Sequence, residues 1–368
     1  MNFFYCKKCV MPSTKPNFNS LNKICNACNF HIEKNKGKKK IDWVGRKKEF
    51  LNLIKSIKKK KSPFFDAVVG VSGGKDSIAQ VHHLIQQKLR VLAINVDYGF
   101  KTEIGVKNLN LIPKMGANLI TFRPNLKIHK RILKISFEKY GDPDLMSHCL
   151  LHAFPIRTAI QFKIPLVFLG ENSALEYSGD KNINNKSMSH QWFLNYAANG
   201  NLTPKNFSKK FLIDYSFMKN YDLPNKKELF KINAVFSSYY FKWSSEVNLK
   251  IAKKYGFNSL KTNSEGTYRN YHGIDEKINR IHQYLKFLKF GYGRATDHAC
   301  EDLRNGKINR DKAIKLVRKY DRVKITKYFY KDFIDFIGIN EKSFFGILRK
   351  FTNNKIINKV KKNEFNKN

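Results

Sequence analysis

Acidic residues are scarce in this chain of 368 residues: 29 Asp+Glu stand against 70 Lys+Arg, for a net charge of +41. An excess of this size raises nucleic acid or another acidic surface as a partner. The lysines are nevertheless spread along the whole sequence among abundant Asn, Ile and Phe. Local runs occur only at 34–40, 55–61 and after Lys355. The charge therefore reads as a compositional bias that permits binding of phosphorylated or nucleotide-linked substrates, and a nucleic-acid partner is not expected. Long apolar runs are missing too. Nothing approaches the roughly 18 residues of a membrane span, and the N-terminus has no signal-peptide core, so a soluble cytoplasmic protein is expected. Cysteine is sparse as well: there are six, and four fall in two C-x-x-C pairs, which excludes a secreted disulfide framework.

Those pairs, Cys6/Cys9 and Cys25/Cys28, lie fifteen residues apart. The spacing suits a tetrahedral structural zinc site with two thiolates from each knuckle. Pro12, Pro16 and several Asn residues between them describe a loop that could not build its own core, and a metal would supply the missing folding free energy. A redox dithiol and an iron–sulfur cluster are the alternatives. Residues 1–40 are expected to form this module.

The strongest chemical signal is Ala67-Val68-Val69-Gly70-Val71 followed by Ser72-Gly73-Gly74-Lys75-Asp76-Ser77. The β-branched run predicts a buried parallel strand, and the apolar positions 78, 81 and 85 predict a helix after it. Strand, glycine-rich turn and helix N-terminus make a phosphate cradle, because unpaired N–H groups and the helix dipole favour an anion there. Lys75 adds a cation, and Ser72 and Ser77 add hydroxyls. The spacing is not that of a Walker A loop, and G-x-G-x-x-G is absent. An ordinary Gly-Ser turn would carry no ligand, but here strand, turn and helix sit where a cradle needs them. The six residues resemble the PP-loop of the ATP pyrophosphatase superfamily, S-G-G-x-D-S. That resemblance implies cleavage of ATP between the α- and β-phosphates and transfer of AMP to a carbonyl oxygen.

Further along, 90–99 and 164–169 read as buried strands that end in Asp97 and in Gly170-Glu171-Asn172, with 118–122 as a shorter strand. Ligands gather at the carboxyl ends of strands in an open α/β sheet. Asp97 and Gly170 are therefore candidate nucleotide contacts, and Glu171 and Asn172 offer oxygens for Mg²⁺ or substrate. A helix is expected over 41–60, another over 131–140 and a third through Ile160. Residues about 177–235 show little periodicity and read as an insertion able to cover the site. Alternating elements predict a doubly wound parallel sheet over 41–290. The last region, 291–368, is expected to be helical with a disordered basic tail. There Thr296 is expected to cap a helix, and Arg294, Asp297 and His298 form a glycine-flanked polar cluster suited to a ligand. Cys149 and Cys300 are lone cysteines, more often small buried residues than nucleophiles. Cys149 would matter only in a sulfur-transferring enzyme.

Taken in order, the first C-x-x-C, SGGKDS, GENSALEYSGD, EGTYRNYHGIDEKINRIHQY and KFGYGRATDHACEDLRNGKINRDKAIKLVRKYD resemble the N-acetyl sugar amidotransferases. These are PP-loop proteins of surface-polysaccharide and pseudaminic- or legionaminic-type biosynthesis. The resemblance runs from Cys6 to about Asp321. It implies that ATP adenylylates an acetamido oxygen and that ammonia displaces AMP to give an acetamidino sugar for a surface glycan or flagellin. It also implies that Lys75 and Asp76 act in catalysis, with Mg²⁺ at Asp76 and Glu171. No cysteine lies in the context of a glutaminase nucleophile. A separate glutaminase subunit, with a cyclase-like subunit as a possible conduit, is the partner that the resemblance implies. A PP-loop tRNA-thiolating enzyme using Cys149 and a non-catalytic zinc-ribbon nucleic-acid-binding protein are the rival readings.

Overall fold

The computed structural model describes residues 3–36, 40–180, 186–198, 200 and 202–362. Ser20–Leu21 (β1) and Ile24–Cys25 (β2) form a short antiparallel hairpin between the two cysteine pairs. The main sheet consists of Ala67–Val71 (β3), Val91–Val96 (β4), Asn118–Phe122 (β5), Leu166–Leu169 (β6) and Asn233–Phe236 (β7). All five run parallel, in the order β5-β4-β3-β6-β7. The expected doubly wound α/β sheet is therefore present.

Side-chain alternation divides the core. Ala67, Val69 and Val71 of β3 face one layer, with Ile78, Val81 and Leu84 of the helix Lys75–Ile85. Val68 faces the other, against Cys149, Leu150, Ala153 and Ile156 of the helix Leu145–Gln161. Successive strand residues point to opposite faces, so a sheet covered on both sides demands apolar residues at nearly every position. The chain runs outward from β3 through β4 to β5, then returns to place β6 on the opposite side of β3. This reversal opens a crevice at the carboxyl ends of β3 and β6, where ligands of such folds sit.

Several expectations change in three dimensions. The helix expected over 131–140 begins earlier, at Leu126, where the Asn125 side-chain Oδ1 accepts from the Ile128 N–H at 3.1 Å. Thr296 does not cap its helix. The helix Arg294–Arg304, with Gly293 as its N-cap, starts three residues sooner, because the Asp321 carboxylate takes the N–H groups of Gly293, Ala295 and Thr296. The segment after 177 is not merely a cover: Trp192, Phe193, Phe207, Met218 and Tyr221 are buried in the same core as the helix Leu145–Gln161. The basic tail, as far as it is described, is not disordered. Asn354–Lys361 is a helix whose Ile357 and Val360 pack on Phe287, since three apolar residues within one turn outweigh the surrounding lysines. Its last six residues lie outside the described ones.

The cysteine module also shares its core with the C-terminal helices. Cys6, Cys9, Cys25 and Cys28 are packed with Tyr292, Ala299, Cys300, Ile314 and Val317. Among the described residues, no helix is long and apolar enough to cross a membrane.

Candidate active site

The 72–77 loop leaves β3 and turns into the helix Lys75–Ile85 with Gly74 as its N-cap. Gly73 has φ +94°, and a Cβ there would lie 2.4 Å from the Gly105 carbonyl oxygen. A Cβ on Gly105 would in turn lie 2.4 Å from the Asp275 carbonyl oxygen. Three backbones are thus stacked with no room for side chains between them. Gly73→Ala is expected to cost about 1–3 kcal/mol from backbone strain alone, before the clash is counted. Urea denaturation checks this, and wild-type stability in that variant would refute the packing argument.

Within the loop, Ser72 Oγ accepts from the Gly74 N–H at 3.3 Å and Ser77 Oγ donates to the Gly74 carbonyl at 2.8 Å. Lys75 is 2% exposed, and its Nζ lies 2.7 Å from Asp76 Oδ2. Asp76 Oδ1 accepts from Asn248 Nδ2 at 2.8 Å. Both carboxylate oxygens are therefore aimed by protein donors, at the end of the loop where a helix dipole favours phosphate.

Asp76 and Glu171 line one cavity of about 130 Å³ together with Arg294, Asp297 and His298. Five of the residues singled out in the sequence are thus brought together from three segments that lie far apart in the chain. A larger cavity of about 440 Å³ adjoins it and shares Glu171, Tyr177, Arg294 and Asp297. Burial pushes the Glu171 carboxyl up to about 8, and the nearby Glu176, Glu301 and Asp76 charges add to the shift. Burial likewise pulls His298 well below its ordinary value, so it is neutral, and its Nδ1 hydrogen-bonds Thr267 Oγ1 at 2.6 Å. Asp297 pairs with Lys286.

Other candidates sit elsewhere. Asp97 stands at the carboxyl end of β4, but its carboxylate pairs with Arg123 and accepts from the Gly99 N–H at 2.9 Å. Asn172 is 1% exposed, and its side-chain Oδ1 accepts from Trp192 Nε1 at 2.9 Å and the Ala174 N–H at 3.1 Å. Its side chain anchors the chain after β6 rather than facing either cavity. Gly170 packs against Gln80, where a Cβ would meet Nε2 at 3.1 Å, and its carbonyl accepts from Ser237 Oγ at 3.0 Å. It brings the backbone close to the loop helix without lining either cavity.

Other residues at the site escape single-residue reading. Lys101 Nζ donates to Glu276 at 2.8 Å and to the Ser72 carbonyl at 3.3 Å, both side chains of the ion pair being buried. Arg269 bridges Glu301 at 2.8 Å and Asp302 at 2.7 Å, tying 265–276 to the helix Arg294–Arg304. The signal for them was the EGTYRNYHGIDE run itself, whose charges alternate with no helical or strand period.

The four cysteines of the module all lie within 4.8 Å of one another through their sulfurs. Cys6 Sγ to Cys28 Sγ is 3.9 Å and Cys9 Sγ to Cys25 Sγ is 3.8 Å. Tetrahedral thiolates at about 2.3 Å from zinc stand about 3.8 Å apart, far beyond a disulfide bond, and all six cysteines are free. The donor set fits structural zinc. For Mg²⁺ the fit is looser. Among the described residues no other preformed group of three ligands exists, but this ion uses one or two carboxylates plus phosphate oxygens and needs none.

The C-terminal region matches a known family. Residues 265–367 match the family described as LPS biosynthesis protein WbpG-like, C-terminal domain. This WbpG-like region supplies Arg294, Asp297 and His298 to the small cavity. No curated protein matches the chain. Among solved structures it is similar to the NMN synthetase from Francisella tularensis, at 12% identity and a TM-score of 0.32, over 78% of this chain and 98% of that one. The NH3-dependent NAD synthetase from Campylobacter jejuni subsp. jejuni matches at 15% identity and a TM-score of 0.28, over 59% of this chain and 96% of that one. At these scores neither likeness bears on activity.

Proposed function

We propose that this chain is an ATP-dependent amidotransferase that adenylylates the acetamido oxygen of an N-acetyl sugar and replaces AMP by ammonia, yielding an acetamidino sugar for a surface glycan such as lipopolysaccharide. The observation that carries this reading is the junction at the small cavity. There the loop residue Asp76 meets Arg294, Asp297 and His298 of the WbpG-like region, whose family belongs to LPS biosynthesis. A pseudaminic- or legionaminic-type sugar, and flagellin as the decorated protein, are narrower forms of the same proposal.

An acetamide is a poor electrophile, and its oxygen leaves only once it is converted to a phosphate ester. The loop N–H groups and Lys75 stabilise charge building on the departing pyrophosphate, in a site where donors are already oriented. Asp76 and Glu171 are the groups that would hold Mg²⁺, whose charge would favour the ionised form of Glu171. Arg294 stands in both cavities and suits an anionic or polar group of the acceptor.

Ammonia comes from a separate glutaminase in this proposal, with a cyclase-like subunit as conduit. Neither lone cysteine is placed for that chemistry. Cys300 packs with the four-cysteine module, and Cys149 is fully buried with its Sγ 3.3 Å from the Ala197 carbonyl oxygen. Burial pushes the Cys149 thiol up, which also argues against the tRNA-thiolation reading that needs it as a sulfur carrier.

The test is pyrophosphate release from ATP with ammonium present, comparing N-acetylated sugar nucleotides with tRNA. Turnover is expected with an acetamido sugar. Turnover with tRNA alone would overturn the proposal.

A further inference from the structure

The larger cavity holds a pair of side chains that the reaction as described so far does not use. His282 Nδ1 lies 2.8 Å from Asp142 Oδ1, and both residues line this cavity. Asp142 follows Gly141, the left-handed residue that closes the helix Leu126–Tyr140, and the Asp144 N–H braces the same carboxylate oxygen at 3.0 Å. His282 projects from the helix Ile278–Phe290. The pair is not sealed in protein, since the His282 and Asp142 side chains are 31% and 24% exposed. Nδ1 is committed to the carboxylate, while Nε2 makes no hydrogen bond among the described residues. An aspartate that fixes one ring nitrogen and leaves the other open to a cavity is the arrangement of a general base.

The amination step needs one. Ammonia that attacks the adenylylated imidate acquires a positive charge on nitrogen, and until a proton leaves that nitrogen the adduct can revert by expelling ammonia. We propose that the Asp142–His282 pair is the proton acceptor of this step, a role that rests on the amidotransferase reading above. The ammonia nitrogen bonds to the imidate carbon, one of its protons passes to His282 Nε2, and the C–O bond to the adenylate breaks with its electron pair leaving on AMP. The cavity is continuous in its lining with the Asp76 pocket through Glu171, Arg294 and Asp297. An acceptor seated there with its acetamido group toward the loop therefore has the pair beside it.

The surroundings tune the imidazole. Burial pulls His282 down, but the Asp142 charge and hydrogen bond outweigh it and leave it above its ordinary value. Asp144, pushed up to about 7 by burial, and His148 face it from the turn and helix after Gly141; Lys286 and Lys289 lie on its own helix. Amination is thus fast where His282 is neutral and falls as pH drops through its raised value.

The test uses the full chain with ATP, an N-acetylated sugar nucleotide, and either ammonium or hydroxylamine, whose nitrogen, once bonded to carbon, is acidic enough to give its proton to water. In His282→Gln, the ratio of amidine formed to pyrophosphate released is expected to fall at least about 10²-fold with ammonium. With rates expressed per free ammonia, the acid limb of the amination profile is expected to vanish, and hydroxylamine to restore the ratio to within a few-fold. Asp142→Asn, which keeps the shape of the contact, is expected to shift the ratio in the same direction. An unchanged ratio in both variants, or an equal loss with both nucleophiles, would overturn the base role and leave a mere helix tether. If the wild-type chain releases no pyrophosphate with any acetamido acceptor, the amidotransferase reading fails first and takes this role with it.

Discussion

Replacing Cys6 and Cys9 together by serine is expected to abolish zinc binding, loosen residues 3–36 and remove turnover with the acceptor. The reason lies in how little regular structure the module has of its own. Its hairpin is two residues per strand, and structural zinc contributes on the order of 10–16 kcal/mol of apparent binding free energy in small peptides. That matches or exceeds the roughly 5–15 kcal/mol net stability of a whole domain, so loss of the ion is expected to loosen the module although its cysteines share a core with the C-terminal helices. The consequences reach the site by named contacts. Thr14 Oγ1 donates to the Phe290 carbonyl at 2.6 Å, and Lys15 Nζ donates to the Tyr177 carbonyl at 2.6 Å. Arg310 Nη1 donates to the Cys6 and Cys9 carbonyls at 2.9 and 2.6 Å. Lys15 also lines the larger cavity beside Lys286 and Arg294. Metal analysis, limited proteolysis of the N-terminus and the pyrophosphate assay check the expectation together. Retained zinc in the double variant, or full turnover without zinc, would refute it.

Asp76→Asn is expected to lower pyrophosphate release at least about 10²-fold, the scale on which one oriented charged or polar group acts in a preorganised site, while leaving the fold intact. The substitution preserves the size of the side chain and an oxygen able to accept from Asn248 Nδ2. It removes the negative charge beside Lys75, which is itself 2% exposed. Loss of the carboxylate therefore removes a candidate Mg²⁺ ligand and releases Lys75 from its position. The two contributions separate by titrating Mg²⁺. A lost ligand raises the Mg²⁺ concentration needed for half-maximal rate, whereas a displaced lysine lowers the rate at every Mg²⁺ concentration. Wild-type turnover in Asp76→Asn would remove both roles. An unfolded variant would instead show that the charge pair of Asp76 with the buried Lys75 is needed for folding.

Much of the architecture was legible before any coordinates. The apolar runs at 67–71, 91–96 and 166–169 have few other ways to be buried, and the fifteen-residue spacing of the cysteine pairs leaves a tetrahedral thiolate site as the simplest arrangement. The loop Ser72–Ser77 could be located because strand, glycines and helix start are contiguous in sequence. What resisted reading was everything set by long-range charge. Asp321 reaches back to the N-terminus of the helix Arg294–Arg304 and replaces Thr296 as its cap. No local pattern announces a cap that lies 25 residues further on. The segment after 177 was opaque for a related reason: its aromatic residues are spaced irregularly, yet they complete the core over the helix Leu145–Gln161.

The sequence by itself determined the alternation of strand and helix, the glycine-rich loop at a helix start and the grouping of four cysteines, because each depends on residues close together in the chain. Only the tertiary structure decided which distant groups share a cavity. It placed Glu171 and Arg294 beside Asp76, withdrew Asn172 into a hydrogen bond with Trp192, and set Asp142 against His282 across 140 residues. The physical reason is the topology of the sheet. The crevice forms at the carboxyl ends of the paired strands β3 and β6, where the strand order reverses, and the chain that fills it arrives from segments with no local signal of where they will dock.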